Sequence, residues 1–243
     1  MLFDGETRTM LALMDYGVLN SLRVGATAGV AARYLAPGGA RVVGLIGSGW
    51  QAQPQLAAVR QALPTLERVR VFSPTREHRE VFAAKMTPWL GVPVEAVGSV
   101  EAALDGADIV DLCAPGHFDI REPLFEPSWV KTGALVISMA PSQYSADFVR
   151  SSRVVAASWE NLTMEPPAPR PPYTELMENN EFPPDKVTPL GSVILDGANP
   201  RRSRDETVIY HLEGGTAQDL FIATWGYEWA TSHGFGKPFD LSA

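Results

Sequence analysis

The sequence predicts an α/β fold, a doubly wound parallel sheet with a second, smaller α+β lobe built from both chain ends. Three observations predict it. Residues 41–160 alternate short apolar runs with helical patterns. The runs are rich in Val and Ile and mostly continuous rather than alternating, as suits strands buried on both faces of a parallel sheet. A glycine-rich turn directly follows the first run and opens a helix.

Taken in order, residues 2–7 carry a hairpin signal and 10–14 a short apolar stretch. Residues 21–36 read as a helix, with Ala28, Ala31, Ala32 and Leu35 at helical spacing, ended by Pro37-Gly38-Gly39. The predicted strands are 42–46, 69–72, 92–97, 108–113, 134–138 and 154–156. The crossover helices between them are 51–63, 76–89, 100–104 and 146–151. The β-α repetition implies a dinucleotide-binding type of domain over 37–164. Residues 165–189 hold eight prolines, which excludes a regular helix or a central strand and predicts a long surface connection. An apolar run at 193–195, a strand at 207–212 and a helix at 216–232 follow. Residues 1–36 and 190–243 are expected to form the smaller substrate and dimerisation lobe.

Composition narrows the functions. The 243 residues are 45% hydrophobic and 20% charged, those of an ordinary globular protein. One cysteine, Cys113, excludes an internal disulfide framework and a cysteine-cluster zinc site, and four scattered histidines argue against a metal site. No run approaches the roughly 20 apolar residues of a membrane span, and the charged first residues do not read as a secretory peptide. A cytoplasmic protein is expected. The net charge of −8 argues against nucleic acid as a partner.

Gly47-Ser48-Gly49-Trp50-Gln51-Ala52 is the G-x-G-x-x-A form of the dinucleotide fingerprint. Gly47 permits the tight turn, Gly49 admits a pyrophosphate to the backbone, and Ala52 lets helix and strand pack closely. The helix N-terminus offers N–H groups and partial positive charge to phosphates. At the second strand's tip an NAD site would place an acid for the ribose 2′-OH. Here Phe72-Ser73-Pro74-Thr75-Arg76 has none, and Ser73, Thr75 and Arg76 suit a 2′-phosphate. NADP(H) is therefore the preferred cofactor and NAD(H) the other candidate. The loop Cys113-Ala114-Pro115-Gly116-His117 follows the fourth strand, where the nicotinamide half would lie. Ala114 and Pro115 are candidate cofactor contacts. His117 reads either as an acid or base or as a surface residue, and Cys113 reads as a buried strand residue.

Three separated blocks carry a resemblance to the ornithine cyclodeaminase/mu-crystallin family. They are Leu22-Arg23-Val24-Gly25-Ala26-Thr27-Ala28-Gly29 and onward to Ala36, Gly44-Leu45-Ile46-Gly47-Ser48-Gly49-Trp50-Gln51-Ala52-Gln53, and Asp205-Glu206-Thr207-Val208 leading to Gly214-Gly215-Thr216-Ala217-Gln218-Asp219-Leu220. The resemblance implies a Rossmann domain plus a substrate and dimerisation lobe, a homodimer, and nicotinamide chemistry on small imino or amino acids. Members include ornithine cyclodeaminases, ketimine and cyclic imine reductases and amino-acid dehydrogenases, and mu-crystallin-like members bind NADPH and hormone.

Residue by residue, the resemblance makes Arg23 the holder of the substrate carboxylate, with a structural arginine as the alternative. Gly25, Ala26 and Thr27 match small residues against the cofactor, and Val24 replaces the usual Thr. Thr216 is a candidate N-cap of the last helix. The catalytic Asp of cyclodeaminases falls at Ser142, within Ser138-Met139-Ala140-Pro141-Ser142. Met139 is thereby a cofactor contact, Ser142 a candidate proton donor beside His117, and Asp147 a helix cap. The resemblance also implies a leading segment with a second substrate-binding Arg and a catalytic Lys, and the chain starts after it. The leading expectation is an NADP-dependent oxidoreductase of imino or amino acids. The alternatives are an ornithine cyclodeaminase-type ammonia lyase using NAD, and a non-catalytic NADPH-binding protein.

Overall fold

In the computed structural model the apolar runs pair into one all-parallel sheet. The structure describes residues 1–114, 123–139, 143–164, 171–212 and 214–239. The chain divides into two compact units, Met1–Arg23 with Gly214–Ala243, and Val24–Glu213. The expected boundaries lay at 36/37 and 189/190. The structure draws the division elsewhere, because residues 24–36 and 190–213 belong to the larger unit.

The larger unit contains β3 (Val42–Ile46), α2 (Ala52–Ala62), β4 (Arg68–Phe72), α3 (Arg76–Leu90), β5 (Val94–Ala96), α4 (Val100–Leu104) and β6 (Ile109–Leu112). It continues through β7 (Leu135–Ser138), α5 (Ala146–Ser151), β8 (Arg153–Ala156), α6 (Trp159–Met164), α7 (Tyr173–Glu178), β9 (Val187–Pro189), α8 (Leu190–Leu195) and β10 (Val208–His211). Its eight strands run in the order β5-β4-β3-β6-β7-β10-β8-β9. The order reverses between β3 and β6, which makes their carboxyl ends the switch point where doubly wound sheets bind ligands.

Side chains alternate between the two faces. Val43, Leu45, Ile109, Leu135 and Ile137 join one apolar core, and Ile46, Val110, Leu112, Val136 and Ile209 the other. Burying each such chain contributes roughly 1.5–3 kcal/mol, so both faces need cover and the runs read as continuous. Helix starts follow local chemistry: Ser99 Oγ accepts from Ala102 N at 3.1 Å to cap α4, and Ser145 Oγ accepts from Phe148 N at 3.2 Å to cap α5. Asp147, expected as the α5 cap, instead pairs with Arg150 at 2.6 Å.

Three expectations are corrected. The strand at 207–212 does not stay with the chain ends: β10 inserts between β7 and β8 at the heart of the sheet. The run at 193–195 is helical, within α8, which starts directly after Pro189. Residues 171–189 are more than a surface connection. Tyr173, Leu176 and Phe182 are buried, α7 forms after the prolines, and β9 pairs with β8 as an edge strand. Tyr173 Oη lies 3.0 Å from Tyr144 Oη inside the core, a tie that proline content does not foretell.

In the smaller unit β1 (Leu2–Phe3) and β2 (Met10–Ala12) form the expected hairpin. Asp4 builds its turn, accepting from Thr7 N at 2.7 Å and Glu6 N at 3.1 Å. Helix α1 (Tyr16–Leu35) starts earlier than 21 and crosses the boundary between the units. Asp15 Oδ1 accepts from Gly17 N at 2.8 Å and caps that start. Helix α9 (Thr216–Ser232) closes this unit, with Gly226 packed against Leu19 and Met14. Among the described residues no helix is long and apolar enough to cross a membrane.

Candidate functional site

Gly47 leaves β3 with φ +107°, a conformation L side chains rarely adopt. A Cβ there would lie 2.7 Å from the carbonyl carbon and oxygen of Cys113 and 2.9 Å from Ala114 N. Glycine is thus demanded twice, by the turn and by the close passage of the chain leaving β6. Gly47 N donates to Phe72 O and Cys113 N to Ile46 O, both at 2.8 Å. These bonds gather the ends of β3, β4 and β6 at the switch point. Gly49 and Trp50 are exposed there, and Ala52 is fully buried against the sheet.

At the tip of β4, Ser48 Oγ donates to Ser73 Oγ at 2.8 Å, which ties the glycine turn to the second strand. Arg79 NH1 donates to Ser73 O at 2.8 Å, and its guanidinium lies over the Phe72 ring at 5.6 Å. Thr75 is the extended residue before α3. Arg76 is exposed and pairs with Glu80 at 2.7 Å, and the Glu80 carboxylate raises its pKa further. Ser73, Thr75 and Arg76 thus run from the tip of β4 to the first residue of α3.

Behind the turn lies a buried polar cluster. Asp111 of β6 and Gln55 of α2 are both fully buried. Cys113 Sγ lies 3.1 Å from Gln55 Oε1 and 3.5 Å from Asp111 Oδ1. Rotating the Gln55 amide sets its nitrogen to donate to Asp111 Oδ1 at 2.7 Å and Oδ2 at 3.2 Å. Burial pushes the Asp111 carboxyl up to about 7, opposed by the Cys113 hydrogen bond. Burial, with the Asp111 carboxylate beside it, pushes the Cys113 thiol well above its ordinary range. The thiol is therefore no nucleophile; Cys113 was expected to be a buried strand residue, but it stands just past the end of β6 and is half-buried.

Gln143, shortly after β7, is fully buried. Its Nε2 donates to Ala114 O at 2.8 Å, and Ser138 Oγ donates to its Oε1 at 3.2 Å. Ala114 and Met139, both partly buried, are thus brought to the carboxyl ends of β6 and β7. Thr27 lies on α1, whose Gly25 passes so close to α2 that a Cβ would come 2.7 Å from Pro54 C and O. Gln51 is the residue before α2. Pro115, His117 and Ser142 lie outside the described residues.

In the smaller unit, Arg23 Nε lies 2.9 Å from Asp219 Oδ1, and its NH2 donates to Asn20 Oδ1 at 2.6 Å. Tyr16 Oη donates to Asp219 Oδ2 at 3.2 Å. A Cβ at Gly214 would fall 2.2–2.5 Å from the guanidinium atoms, so only glycine lets Arg23 lie there. The Arg23 side chain is 12% exposed, which leaves a strongly desolvated cation with its fork held from two sides. Thr216 is the first residue of α9 rather than its cap; Gly215 takes the cap position without a side-chain bond.

Gln55, Asp111 and Gln143 were missed by sequence reasoning. For Asp111 a signal existed, an acid in the middle of an otherwise apolar strand. The two glutamines carry none, because burial of an amide depends on partners distant in sequence.

The decisive observation is the family profile for ornithine cyclodeaminase/mu-crystallin proteins, which matches residues 1–234. The chain belongs to the ornithine cyclodeaminase/mu-crystallin family. Within that family it is 28% identical over 247 residues to a Δ1-pyrroline-2-carboxylate reductase of Bacillus cereus, covering 99% of this chain and 73% of the relative. Its fold matches the Δ1-pyrroline-2-carboxylate reductase of Thermococcus litoralis, solved with NADH and L-proline, at a TM-score of 0.86 and 26% identity. That match covers 98% of this chain and 72% of the other. It also matches the iminosuccinate reductase of Paracoccus denitrificans, solved with NAD+, at a TM-score of 0.80 and 25% identity, over 98% of this chain and 72% of that one.

The glycine turn of this family member fits a dinucleotide. The space that a Cβ would fill at Gly47 is backbone, Gly49 is open, and α2 begins immediately behind them. Among the described residues no group of three or more His, Cys, Asp or Glu is placed to hold a metal ion.

Proposed function

We propose that the protein is an NADP-dependent oxidoreductase that reduces the C=N bond of a small imino acid, or runs the reverse oxidation of an amino acid. The observation that carries this reading is the whole-chain likeness to a reductase holding NADH and L-proline. The cofactor supplies a hydride at the nicotinamide C4. The chain's residues do the holding. Backbone N–H groups of 47–52 and the start of α2 take the pyrophosphate. Ser73, Thr75 and Arg76 take the 2′-phosphate, which selects NADP(H) over NAD(H). Ala114, Met139 and Thr27 bound the nicotinamide end.

Arg23 takes the substrate carboxylate. Asp219 and Asn20 fix the direction of its fork, so the carboxylate is gripped in one orientation and the reacting carbon with it. The protein works as a homodimer through its smaller unit, and in the cytoplasm, where its single cysteine stays reduced.

The test is consumption of NADPH with Δ1-pyrroline-2-carboxylate and related cyclic imines, in wild type and Arg23→Ala. The expected result is turnover in wild type and a KM raised about ten- to a hundredfold in the variant, the effect of losing a charge-assisted pair. NADPH affinity stays unchanged. Tight NADPH binding without turnover of any imine would mark a non-catalytic binding protein. Ammonia release from ornithine without net NADH formation would mark a lyase.

A further inference from the structure

A buried carboxyl in an apolar strand calls for a physical reason. Asp111 is fully buried on β6, two residues before the backbone that Gly47 touches. Its strand neighbours in register are Leu45 of β3 and Ile137 of β7, both apolar and fully buried. From α2 it meets Gln55, in the first turn of the helix whose N-terminus heads the glycine turn. The other titratable group facing it among the described residues is Cys113. The charged residue of α2, Arg60, is committed to Leu90 O and Leu63 O at 3.2 and 3.3 Å. No basic side chain among the described residues pairs with Asp111.

The Gln55 amide can serve either protonation state. A neutral carboxyl can donate to the amide oxygen. With the amide rotated, its nitrogen donates to an ionised carboxylate. A change in protonation therefore changes which end of the amide in the first turn of α2 the carboxyl can bond. It also places or removes a negative charge behind the turn in a medium of low dielectric.

We propose that Asp111 is a positioning residue of the dinucleotide site that couples its grip to pH. The neutral carboxyl, bonded to Gln55, favours the bound pyrophosphate, and the ionised carboxylate opposes it. This rests on the dinucleotide reading given above. Burial sets the midpoint of the change near neutrality, at about 7. A free carboxylate would have titrated far below, and would have been ionised at any pH the cell visits.

Calorimetric titration of NADH tests this, because its pyrophosphate keeps a constant charge between about pH 6 and about pH 8.5. Wild type is expected to bind about five- to tenfold more weakly at the upper pH. Asp111→Asn, a neutral isostere that Gln55 can still bond, is expected to bind with the low-pH affinity throughout. A flat wild-type profile, or the same profile in Asp111→Asn, would overturn the proposal. The infrared band of a protonated carboxyl gives a second reading that needs no stable variant. Its loss from wild type in step with the weakening supports the proposal, and its persistence or absence at every pH overturns it. Failure of wild type to bind NADH or NADPH at any pH would overturn the dinucleotide reading itself and this proposal with it, whereas binding without pH dependence overturns this proposal alone.

Discussion

Arg76 and Arg79 occupy the same turn of α3 and are held in opposite ways. Arg79 is spent on the loop, bonded to Ser73 O and stacked on Phe72. Arg76 projects into solvent, its side chain 79% exposed, paired with Glu80 of the same helix. An exposed pair of this kind, screened by solvent, holds little. A 2′-phosphate with two negative charges therefore competes well for the guanidinium. Arg76→Ala is expected to weaken NADPH by about five- to fiftyfold and to leave NADH within about twofold, as read by fluorescence titration of each. Equal loss for both cofactors would remove Arg76 from the 2′-phosphate. At this scale the sequence was a good guide where chemistry is local. The Gly47 turn was legible, since a glycine turn between a strand and a helix is written in its own few residues. Asp111, Gln55 and Gln143 were not, because what makes them matter is burial and partners tens of residues away.

Among the elements, the entrance to β10 shows how a strand far along the chain is fastened into the middle of a sheet. Glu206 precedes the strand and accepts from Arg153 of β8 through Nε at 3.0 Å and NH2 at 2.5 Å. It also accepts from the backbone of Arg202 at 2.5 Å and Ser203 at 3.3 Å. Arg201 bonds to Glu206 O and, at 2.9 Å, to Leu35 O, which closes the carbonyl end of α1. The Arg153 guanidinium and the two amides hold the Glu206 carboxyl down at about 2. A depressed carboxylate contributes stability that is full above its ordinary value and is lost as pH falls through the folded one. Melting temperature of wild type should therefore drop between about pH 4.5 and about pH 2 more than that of Glu206→Gln. The variant's deficit, present at pH 6, should vanish near pH 2; a deficit equal at both would show that shape rather than charge holds the strand. The same region marks what patterning leaves unread. Apolar runs identify strands, but not their neighbours: nothing in residues 207–212 tells that β10 pairs with β7 and β8. The run 193–195 is too short for its period to separate helix from strand, and the preceding Pro189, pre-set for an extended cap before α8, decided it.

For the whole molecule, the smaller unit poses the plainest physical demand. Helix α9 has no buried residue along its seventeen positions, although it carries Leu220, Phe221, Ile222, Trp225, Tyr227 and Trp229. Phe221 is 73% and Trp225 52% exposed. Leu13, Tyr16, Val18 and Leu22 of the same unit are exposed as well. Single apolar residues on a surface need no explanation, but a helix that is apolar on every side needs cover. Aromatic residues of this kind make the centre of protein interfaces, where one large side chain commonly contributes 2 kcal/mol or more. The proposed homodimer would supply that cover, since a two-fold axis sets the same patch against itself. Trp225→Glu, which places a charge in that patch, should convert a dimer to a monomer in sedimentation velocity and raise the dimer dissociation constant by at least about thirtyfold. The substitution leaves the larger unit untouched, so NADPH affinity should persist in the monomer. A wild-type protein that sediments as a monomer at tens of micromolar, with Trp225 still quenched by added iodide, would show instead that this surface is open in solution.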